Sequence, residues 1–243
     1  MSTSESITIV VPCYNEAGRL RMQAFERAAQ ELGLGFLFVD DGSKDRTRSV
    51  LEDLAARMGD AASVLVLEQN AGKAEAVRRG LLQALDGGAA VVGYVDADLA
   101  TPLEAVVEMV ALLREGSHDA VIGSRIAYLG ANIERRAARH YLGRVFATAA
   151  SLILDEVIYD TQCGAKVFRA SALLRRALSE PFHSRWAFDV ELLGRLLAAG
   201  ASVREMPLRQ WVDVAGSKLS LREMLGTGWD LLKIAHALRR YRG

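Results

Sequence analysis

The sequence has 243 residues, and its 30 lysines and arginines balance 30 aspartates and glutamates, so its formal net charge is zero. This balance argues against a protein whose main partner is nucleic acid, because such proteins carry a basic excess that neutralises phosphates. With 51% hydrophobic and 25% charged residues, the composition is that of an ordinary globular protein, which excludes disordered and collagen-like chains.

The first half of the chain alternates compact apolar segments with helical patterns. The apolar segments are rich in Val, Ile and Leu, as expected for strands buried on both faces of a parallel sheet. The predicted strands are residues 7–11, 35–39, 63–67, 91–95 and 120–122. The predicted helices are residues 46–57, 73–85 and 103–114, the last with Thr101 as its N-cap and Pro102 as its first residue.

The second half is less regular. Its predicted helices are residues 137–154, 170–177, 188–199 and 221–241, and its predicted strands are residues 166–168, 203–207 and 209–212. We expect the last helix to be an ordinary amphipathic helix packed on the domain. The whole pattern predicts an α/β fold with a Rossmann-like, mainly parallel sheet flanked by helices. No linker or repeat marks a boundary, so we predict a single domain over residues 1–243.

Cysteine usage and the N-terminus bear on location. Cys13 and Cys163 form no CxxC pair, so the sequence predicts neither a structural zinc site nor a disulfide framework. The N-terminus enters an apolar segment without a basic region or a cleavage signal, and no apolar stretch reaches the ~20 residues that span a bilayer. We therefore expect a cytoplasmic protein, which would lie peripherally at the inner face of the membrane if it contacts one. The histidines share no spacing, and we assign them no role.

Two acidic motifs follow predicted strands. In VDDGSKDRT (39–47), Asp41 can accept hydrogen bonds from a ribose or a base, or it can simply form the turn together with Ser43 and Asp45. In VDADLATP (95–102), Asp96 and Asp98 leave a strand at positions i and i+2, where they can ligate a divalent cation that bridges a diphosphate. The alternative for the second motif is a polar turn before the next helix.

The same stretch is also compatible with a phosphatase that uses Asp96 as a nucleophile. Haloacid-dehalogenase-type phosphatases place an aspartate motif with a later Thr or Val after a strand. Here Ala100 stands at that position and Thr101 comes one residue late, which weakens this alternative.

Eight motifs in order resemble those of the inverting family 2 nucleotide-sugar glycosyltransferases, which have the A-type fold. In the first half they are VPCYNEAGRL (11–20), VDDGSKDRT, QNAGKAEAVRRG (69–80), VDADLATP and VIGSR (121–125). The second half is similar to the dolichyl-phosphate glucosyltransferase and polyprenyl-phosphate mannosyltransferase branch, through DTQCGAKVF (160–168), RWAFDVELL (185–193) and WVDVAGSKL (211–219).

The resemblance implies that residues 1–125 bind the nucleotide sugar. The residues that would hold the nucleoside are Pro12, Tyr14, Glu16 and Asp41. Lys73 would lie near the nucleotide, and Asp96 and Asp98 would bind Mg²⁺ or Mn²⁺ and, through this cation, the diphosphate. Gln162 and Cys163 would border the sugar pocket. We interpret Cys163 as a small buried residue rather than a reactive thiol.

The resemblance also implies that residues 126–243, with the end of the fifth strand, bind the acceptor. The acceptor-side residues would be Ser124, Arg125, Arg135, Arg139, Trp211 and Lys218. Asp189, Arg125 and Asp98 would be catalytic, and Glu191 would lie near the reacting centre with Asp189. A phosphate acceptor is already anionic, whereas an alcohol acceptor needs a base, for which Asp189 is the candidate.

The activity implied is a metal-dependent transfer of a hexose, glucose from UDP-glucose, to polyprenyl or dolichyl phosphate. Relatives of this kind commonly carry a membrane anchor, and we expect none from this sequence, so transfer to a soluble or polysaccharide hydroxyl is an alternative. The third motif also departs from the family, because GKAEAV stands where the eukaryotic enzymes usually have glycines after the lysine.

Overall fold

The computed structural model describes residues 6–134, 137–212, 221–239 and 241, without the side chains of residues 137–142 and 221–228. Seven strands form its central sheet: β1 (Ile7–Cys13), β2 (Gly35–Asp41), β3 (Ala62–Leu67), β4 (Val91–Val95), β5 (Ala120–Ser124), β7 (Ala165–Arg169) and β8 (Val203–Pro207). Their order is β3-β2-β1-β4-β7-β5-β8. Only β7 runs antiparallel to its neighbours, β4 and β5. The predicted mainly parallel sheet is therefore confirmed.

Two short strands pair beside this sheet. They are β6 (Asn132–Glu134) and β9 (Gln210–Val212), which run parallel with Ile133 opposite Trp211. The strand β6 was not predicted, because three residues are too few for the sequence to show a period.

Helices cover both faces of the central sheet. The first face carries α1 (Met22–Leu32), α2 (Thr47–Met58) and α4 (Leu103–Glu115). The second carries α3 (Lys73–Asp86), α6 (Ala172–Leu178) and α7 (Phe188–Ala198), and α5 (Ala137–Leu154) and α8 (Leu221–Arg239) pack on α7. This two-sided cover explains why the strands read as continuous apolar segments rather than as alternating ones.

Two helix predictions need correction. The helix α1 was not predicted, although Met22, Phe25, Ala29 and Leu32 recur at helical spacing and pack against the core. The helix α4 begins one residue later than expected: Pro102 is its N-cap, and no side chain caps it. Thr101 is buried instead of capping the helix.

The position of α3 depends on Gly80. A Cβ at this residue would lie 2.4 Å from Val10 Cγ1 and 2.9 Å from Val39 Cγ2, so a larger side chain would push the helix off β1 and β2. Because α3 starts at the carboxyl edge of the sheet, this close packing also fixes the height of Lys73 at that edge.

The prediction that the last helix packs on the domain is confirmed. Leu231, Ile234 and Leu238 of α8 are buried in a cluster with residues of α5 and α7. Gly194 of α7 allows the close approach, because a Cβ there would lie 2.4 Å from Leu238 Cδ1. Within the described part of the chain, no helix combines the length and the apolar character that crossing a bilayer requires.

Candidate active site

A cavity of about 220 Å³ opens at the carboxyl edge of the sheet, where the loops after β1, β2 and β4 meet the start of α3. Parallel strands place their carboxyl ends together, so motifs far apart in the chain converge there. The predicted donor-side residues that line the cavity are Pro12, Tyr14, Glu16, Asp41, Lys73, Asp96 and Asp98. The structure thus brings together most of the predicted donor site, whereas Gln162 does not line this cavity.

Arg19 also lines the cavity and was not predicted. Its guanidinium forms a two-bond ion pair with the Glu16 carboxylate, three residues earlier. The spacing of the two residues in the sequence is a signal for this pair. Arg19 therefore compensates the negative charge of the Glu16 carboxylate and orients this group.

Thr47 joins the loop after β1 to the loop after β2 by hydrogen bonds. The Thr47 hydroxyl accepts hydrogen bonds from the backbone N–H groups of Glu16, at 2.7 Å, and Ala17, at 3.0 Å. Asp45 in turn accepts from Thr47 N at 2.9 Å. Ser43 accepts from Asn15 N at 3.0 Å. Ser43 and Asp45 therefore have the structural role that was the alternative for this motif.

Asp41 organises the loop before α3. Its buried carboxylate accepts hydrogen bonds from the backbone N–H of Ala71 at 2.7 Å and of Gly72 at 2.9 Å, and from Asn70 Nδ2 at 3.0 Å. Burial raises the pKa of Asp41, although the two backbone N–H groups oppose the shift. Asp41 thus positions the residue that follows this loop, Lys73, and a contact with the nucleoside remains a prediction.

The turn between β2 and α2 requires Gly42. Its φ of +63° lies in the left-handed region. A Cβ there would also lie 2.6 Å from Asn70 N, so glycine is needed for both conformation and space. Gly42 thereby lets the loop that contains Asn70 approach Asp41.

The charged centre of the cavity is formed by Lys73, Asp96 and Asp98. Lys73 Nζ lies 2.5 Å from Asp96 Oδ1. The side chain of Lys73 is 40% exposed; its partial desolvation would lower its pKa, but the neighbouring carboxylates of Asp96 and Asp189 outweigh this and the net shift is upward. Burial and the charge of Asp96 raise the pKa of Asp98. The cavity therefore combines a lysine that stays cationic with two carboxylates on one loop.

The two aspartates suit a divalent cation of the magnesium type. Among the described residues, no three His, Cys, Asp or Glu side chains gather at metal-binding distance. A pair of carboxylates is nevertheless the set that Mg²⁺ uses when substrate phosphates and water complete its shell. Asp96 Oδ1 is buried and lies 2.5 Å from the Lys73 ammonium, so this carboxylate oxygen already faces positive charge in the structure. Asp96 and Asp98 thus fit the predicted cation.

Two loops of the cavity hold non-glycine residues at positive φ. Asn15, in the loop after β1, has a φ of +54°, and Leu99, directly after Asp98, has a φ of +53°. Such conformations are uncommon and cost energy, and they concentrate at functional sites. Asn15 Oδ1 accepts a hydrogen bond from Lys44 N at 2.9 Å, which helps to hold its loop.

Asp96 rests against Gly164, the residue that precedes β7. A Cβ at Gly164 would lie 2.2 Å from Asp96 Oδ2. The Asp96 N–H also donates to the carbonyl of Gly164 at 3.1 Å. We expect Gly164→Ala to displace the Asp96 carboxylate and to lower the kcat/KM of sugar transfer by roughly a hundredfold, since small misplacements of reacting groups have effects of that size.

The matched control for this prediction is Gly18→Ala. Gly18 lies in the loop after β1, and a Cβ there meets nothing within 4 Å. Steady-state rates and thermal melting of both variants separate misplacement of Asp96 from loss of fold. A Gly164→Ala enzyme with wild-type kcat/KM would show that Asp96 need not occupy this position.

Asp189 lies beneath the cavity rather than in its lining. It is 4% exposed, and Lys166 Nζ, which is fully buried, donates to its Oδ1 at 2.6 Å. The Tyr94 hydroxyl donates to the same oxygen, and Lys166 also donates to the carbonyl of Cys163 at 2.7 Å. Burial and the Asp189 charge raise the pKa of Tyr94, so the phenol stays neutral and donates. The carboxylate is thus held by partners from β4 and β7.

Glu191, which the resemblance places near the reacting centre, does not line the cavity. It is fully buried and pairs with Arg195 NH2 at 2.6 Å, while His183 N donates to it at 2.8 Å. Arg195 also donates to the carbonyls of Ala177, Glu180 and Pro181. This network fastens the segment between α6 and α7, and Glu191 is engaged in it.

Arg125 is oriented by Asp160. The two side chains form a bidentate pair, with Nε to Oδ2 at 2.6 Å and NH2 to Oδ1 at 2.7 Å. The guanidinium carbon lies 5.2 Å from the centre of the Trp211 ring, which is largely buried. Much of the charge on Arg125 is therefore compensated, and Trp211 serves as a packing platform for it.

Several buried polar atoms near the ends of β4 and β5 have no hydrogen-bond partner in the structure. Within the described part of the chain they are Ser124 Oγ, Thr161 Oγ1 and Gln162 Nε2. Buried polar groups are normally paired, so this group marks a place where a ligand can supply the missing partners. Thr161 was not predicted, although it lies in the same motif as Gln162.

Cys163 is fully buried, as expected, and burial raises the pKa of its thiol.

Three predicted acceptor-side residues cannot be placed. Arg135 and Lys218 lie outside the described residues, and Arg139 lies in α5 among the residues whose side chains are not described. Their roles stay predictions.

Comparisons with known proteins decide the family. The sequence model of glycosyl transferase family 2 matches residues 8–176. The chain belongs to glycosyltransferase family 2. Among the curated members, the human dolichyl-phosphate beta-glucosyltransferase is 32% identical over 96% of this chain and 75% of its own length. A dolichyl-phosphate beta-glucosyltransferase of Trichomonas vaginalis is 30% identical over 94% of this chain and 70% of its own length.

Solved structures show that this family 2 member has the A-type glycosyltransferase fold. A crystal structure of glucosyl-3-phosphoglycerate synthase from Mycobacterium tuberculosis in complex with UDP superposes with a TM-score of 0.69. The two chains are 20% identical, and the match covers 96% of this chain and 81% of the other. The predicted fold and the prediction of a nucleotide-sugar-dependent glycosyltransferase are both confirmed by family and fold together.

Proposed function

We propose that this glycosyltransferase moves a hexose, glucose from UDP-glucose, to a polyprenyl or dolichyl phosphate, with inversion at the sugar C1 and with the help of Mg²⁺ or Mn²⁺. The names of the human and Trichomonas vaginalis relatives support the acceptor, since both are dolichyl-phosphate beta-glucosyltransferases. A further crystal structure of the synthase from Mycobacterium tuberculosis contains Mn²⁺ and UDP, which supports the donor and the cation.

The hydrogen-bond partners of Asp189 indicate which class of acceptor the enzyme uses. An alcohol acceptor needs a carboxylate that removes its proton, whereas a phosphate acceptor is already anionic. Asp189, the candidate base, is buried and held by Lys166 and Tyr94. The other carboxylates of the cavity also have partners or a different role. Glu16 pairs with Arg19, Asp41 accepts hydrogen bonds from the 70–72 loop, and Asp96 and Asp98 suit the cation. This arrangement favours an acceptor that needs no base.

The donor side would stabilise the leaving group. When the acceptor oxygen bonds to C1, the bond from C1 to the nucleoside diphosphate breaks and negative charge collects on that diphosphate. A bound divalent cation, held by Asp96 and Asp98, would supply positive charge there. Lys73 adds a fixed cation at the N-terminus of α3, where the helix dipole also favours an anion. None of these interactions requires proton transfer.

A transfer assay tests the proposal. The purified protein is incubated with Mn²⁺ and UDP-glucose or GDP-mannose, with and without a short-chain polyprenyl phosphate in detergent. Glucosyl transfer that requires UDP-glucose and the prenyl phosphate supports the proposal. Transfer only to an alcohol or a soluble phosphate overturns the lipid acceptor, and hydrolysis of a simple phosphate ester without donor would revive the phosphatase alternative.

Asp189→Asn separates the two acceptor classes within the fold. We expect this variant to retain transfer to prenyl phosphate within about tenfold of wild type, whereas loss of a general base has effects of roughly a hundredfold to ten thousandfold. Rates are measured at low temperature and normalised to the folded fraction, because the substitution leaves Lys166 without a countercharge. A loss beyond about a hundredfold per folded molecule would return Asp189 to the role of base.

A further inference from the structure

The outer face of α8 is unusual for a packed helix. Four residues at helical spacing form a stripe on it: Trp229, Leu232, Lys233 and His236. Trp229 is 66% exposed and Leu232 is 61% exposed, although the solvent face of an amphipathic helix is normally polar. The buried residues Leu231, Ile234 and Leu238 lie on the opposite side of the helix. The outer stripe is therefore a mixed face, with two large apolar side chains beside two basic ones, that the described fold does not cover.

This α8 stripe borders a groove of about 710 Å³ between α8 and the segment that links α6 to α7. The groove is also lined by Arg176, His183, Tyr241 and one carboxylate, Glu180. Arg176 and Lys233 are exposed, and so is Arg239, one turn beyond His236. Indole and leucine side chains beside cations match the boundary between headgroups and acyl chains of an anionic bilayer.

A chain of contacts links the start of the α8 stripe to the cavity. Asp230, next to Trp229, accepts a hydrogen bond from Ser184 Oγ at 2.7 Å. Ser184 also accepts from the N–H groups of Trp186, at 3.1 Å, and Ala187, at 2.8 Å, at the start of α7. Phe188, the first residue of α7, lies 5.9 Å from Lys73 Nζ. A surface held by the α8 stripe would thus adjoin the edge of the molecule where the sugar is transferred.

We propose that the α8 stripe and its groove dock this enzyme on the surface of an anionic phospholipid bilayer. Charge complementarity favours this occupant, because the cations at the groove and its edge, Arg176, Lys233 and Arg239, outnumber the carboxylates Glu180 and Asp230, the second of which pairs with Lys233 at 3.4 Å. The inference extends the proposed function, since a polyprenyl phosphate resides in a bilayer and a docked enzyme would reach its headgroup without leaving the surface. Each cation near an anionic bilayer strengthens partitioning by about fivefold.

Vesicle co-sedimentation without donor or acceptor tests the docking. Wild-type protein is mixed with phosphatidylcholine vesicles that contain about one third phosphatidylglycerol, or none, since cations act through the anionic surface. We expect binding to the anionic vesicles that falls at least about tenfold in a Trp229→Ser, Leu232→Ser variant. An Arg176→Glu, Lys233→Glu variant should also lose binding, and high salt should weaken that of wild type.

Matched controls make the assignment specific. Leu152→Ser removes a leucine on α5 that is 79% exposed, more than Leu232, and Arg27→Glu reverses an exposed charge on α1, on the other face of the sheet. Both should bind like wild type, and thermal melting confirms that every variant is folded. Equal losses in Leu152→Ser, or no binding of wild type, would overturn the proposal. So would a wild-type dimer that the Trp229→Ser, Leu232→Ser variant converts to monomers, since a second copy would then occupy the stripe.

The assay keeps docking apart from sugar transfer. Stripe variants should transfer glucose to a short-chain prenyl phosphate in detergent at the wild-type rate, because the α8 stripe does not line the donor cavity. They should lose activity only when the acceptor is embedded in anionic vesicles. A different outcome is that the wild-type protein binds anionic vesicles and the stripe variants lose this binding, while the wild-type protein transfers no glucose to the prenyl phosphate. In that case the docking is supported and the proposed acceptor is wrong.

Discussion

Replacing Asp96 with asparagine is expected to lower the kcat of glucosyl transfer by roughly a thousandfold, because a ligand of the cation and the partner of Lys73 are lost together. The change keeps the shape of the side chain but removes its charge. Initial rates over a range of Mn²⁺ concentrations measure the effect, and calorimetric titration with Mn²⁺ and UDP should show that their joint binding is weakened.

Asp53→Asn is the matched control for this substitution, since Asp53 is exposed on α2, away from the cavity. It should leave both rate and binding unchanged. Wild-type Mn²⁺ dependence in Asp96→Asn would contradict the assignment of this carboxylate to the cation, and the same conclusion would follow if the chelator EDTA did not affect the wild-type enzyme.

Lys166→Met is expected to destabilise the fold by about 3–5 kcal/mol, because it leaves the buried Asp189 charge without its cationic partner. Tyr94 still donates to the carboxylate, but a neutral hydroxyl does not replace a positive charge. Chemical denaturation measures the loss of unfolding free energy, and thermal melting should show a midpoint lower by about 10 °C.

The double variant Lys166→Met, Asp189→Asn tests whether the ion pair is responsible. Removing both charges should restore most of the stability that Lys166→Met loses, since no unpaired charge is then buried. Lys44→Met, at an exposed lysine, should change the free energy of unfolding by less than about 0.5 kcal/mol. Additive losses in the double variant would show that Lys166 contributes through packing alone.

The buried ion pair also explains how one cavity is assembled from distant strands. Lys166 belongs to β7, Tyr94 to β4 and Asp189 to the first turn of α7. Their bonds hold α7 against the two strands whose ends carry Asp96 and Gly164. A carboxylate that resembles a catalytic base in the sequence thereby acts as a tie between the two halves of the molecule.

Local patterns in the sequence were enough to predict the fold class and the acidic motifs at the strand ends, and the resemblance to family 2 added Lys73 to them. Apolar segments between helical patterns indicate a parallel sheet, and polar motifs at strand ends must meet at one edge of such a sheet. Lys73, Asp96 and Asp98 therefore lie together, as expected. The helix α1 was missed although its spacing was visible, and the antiparallel direction of β7 has no local signature.

The sequence by itself determined which chemical groups are present and at which strand ends, because strand and turn propensities act over a few residues. Only the tertiary structure decided how each group is engaged. Asp189 is held by Lys166, Glu191 by Arg195 and Arg125 by Asp160, and two of these pairs join residues more than twenty positions apart. The exposed stripe of α8 was likewise decided by packing, since its apolar residues resemble core residues until the structure shows which side of the helix is covered.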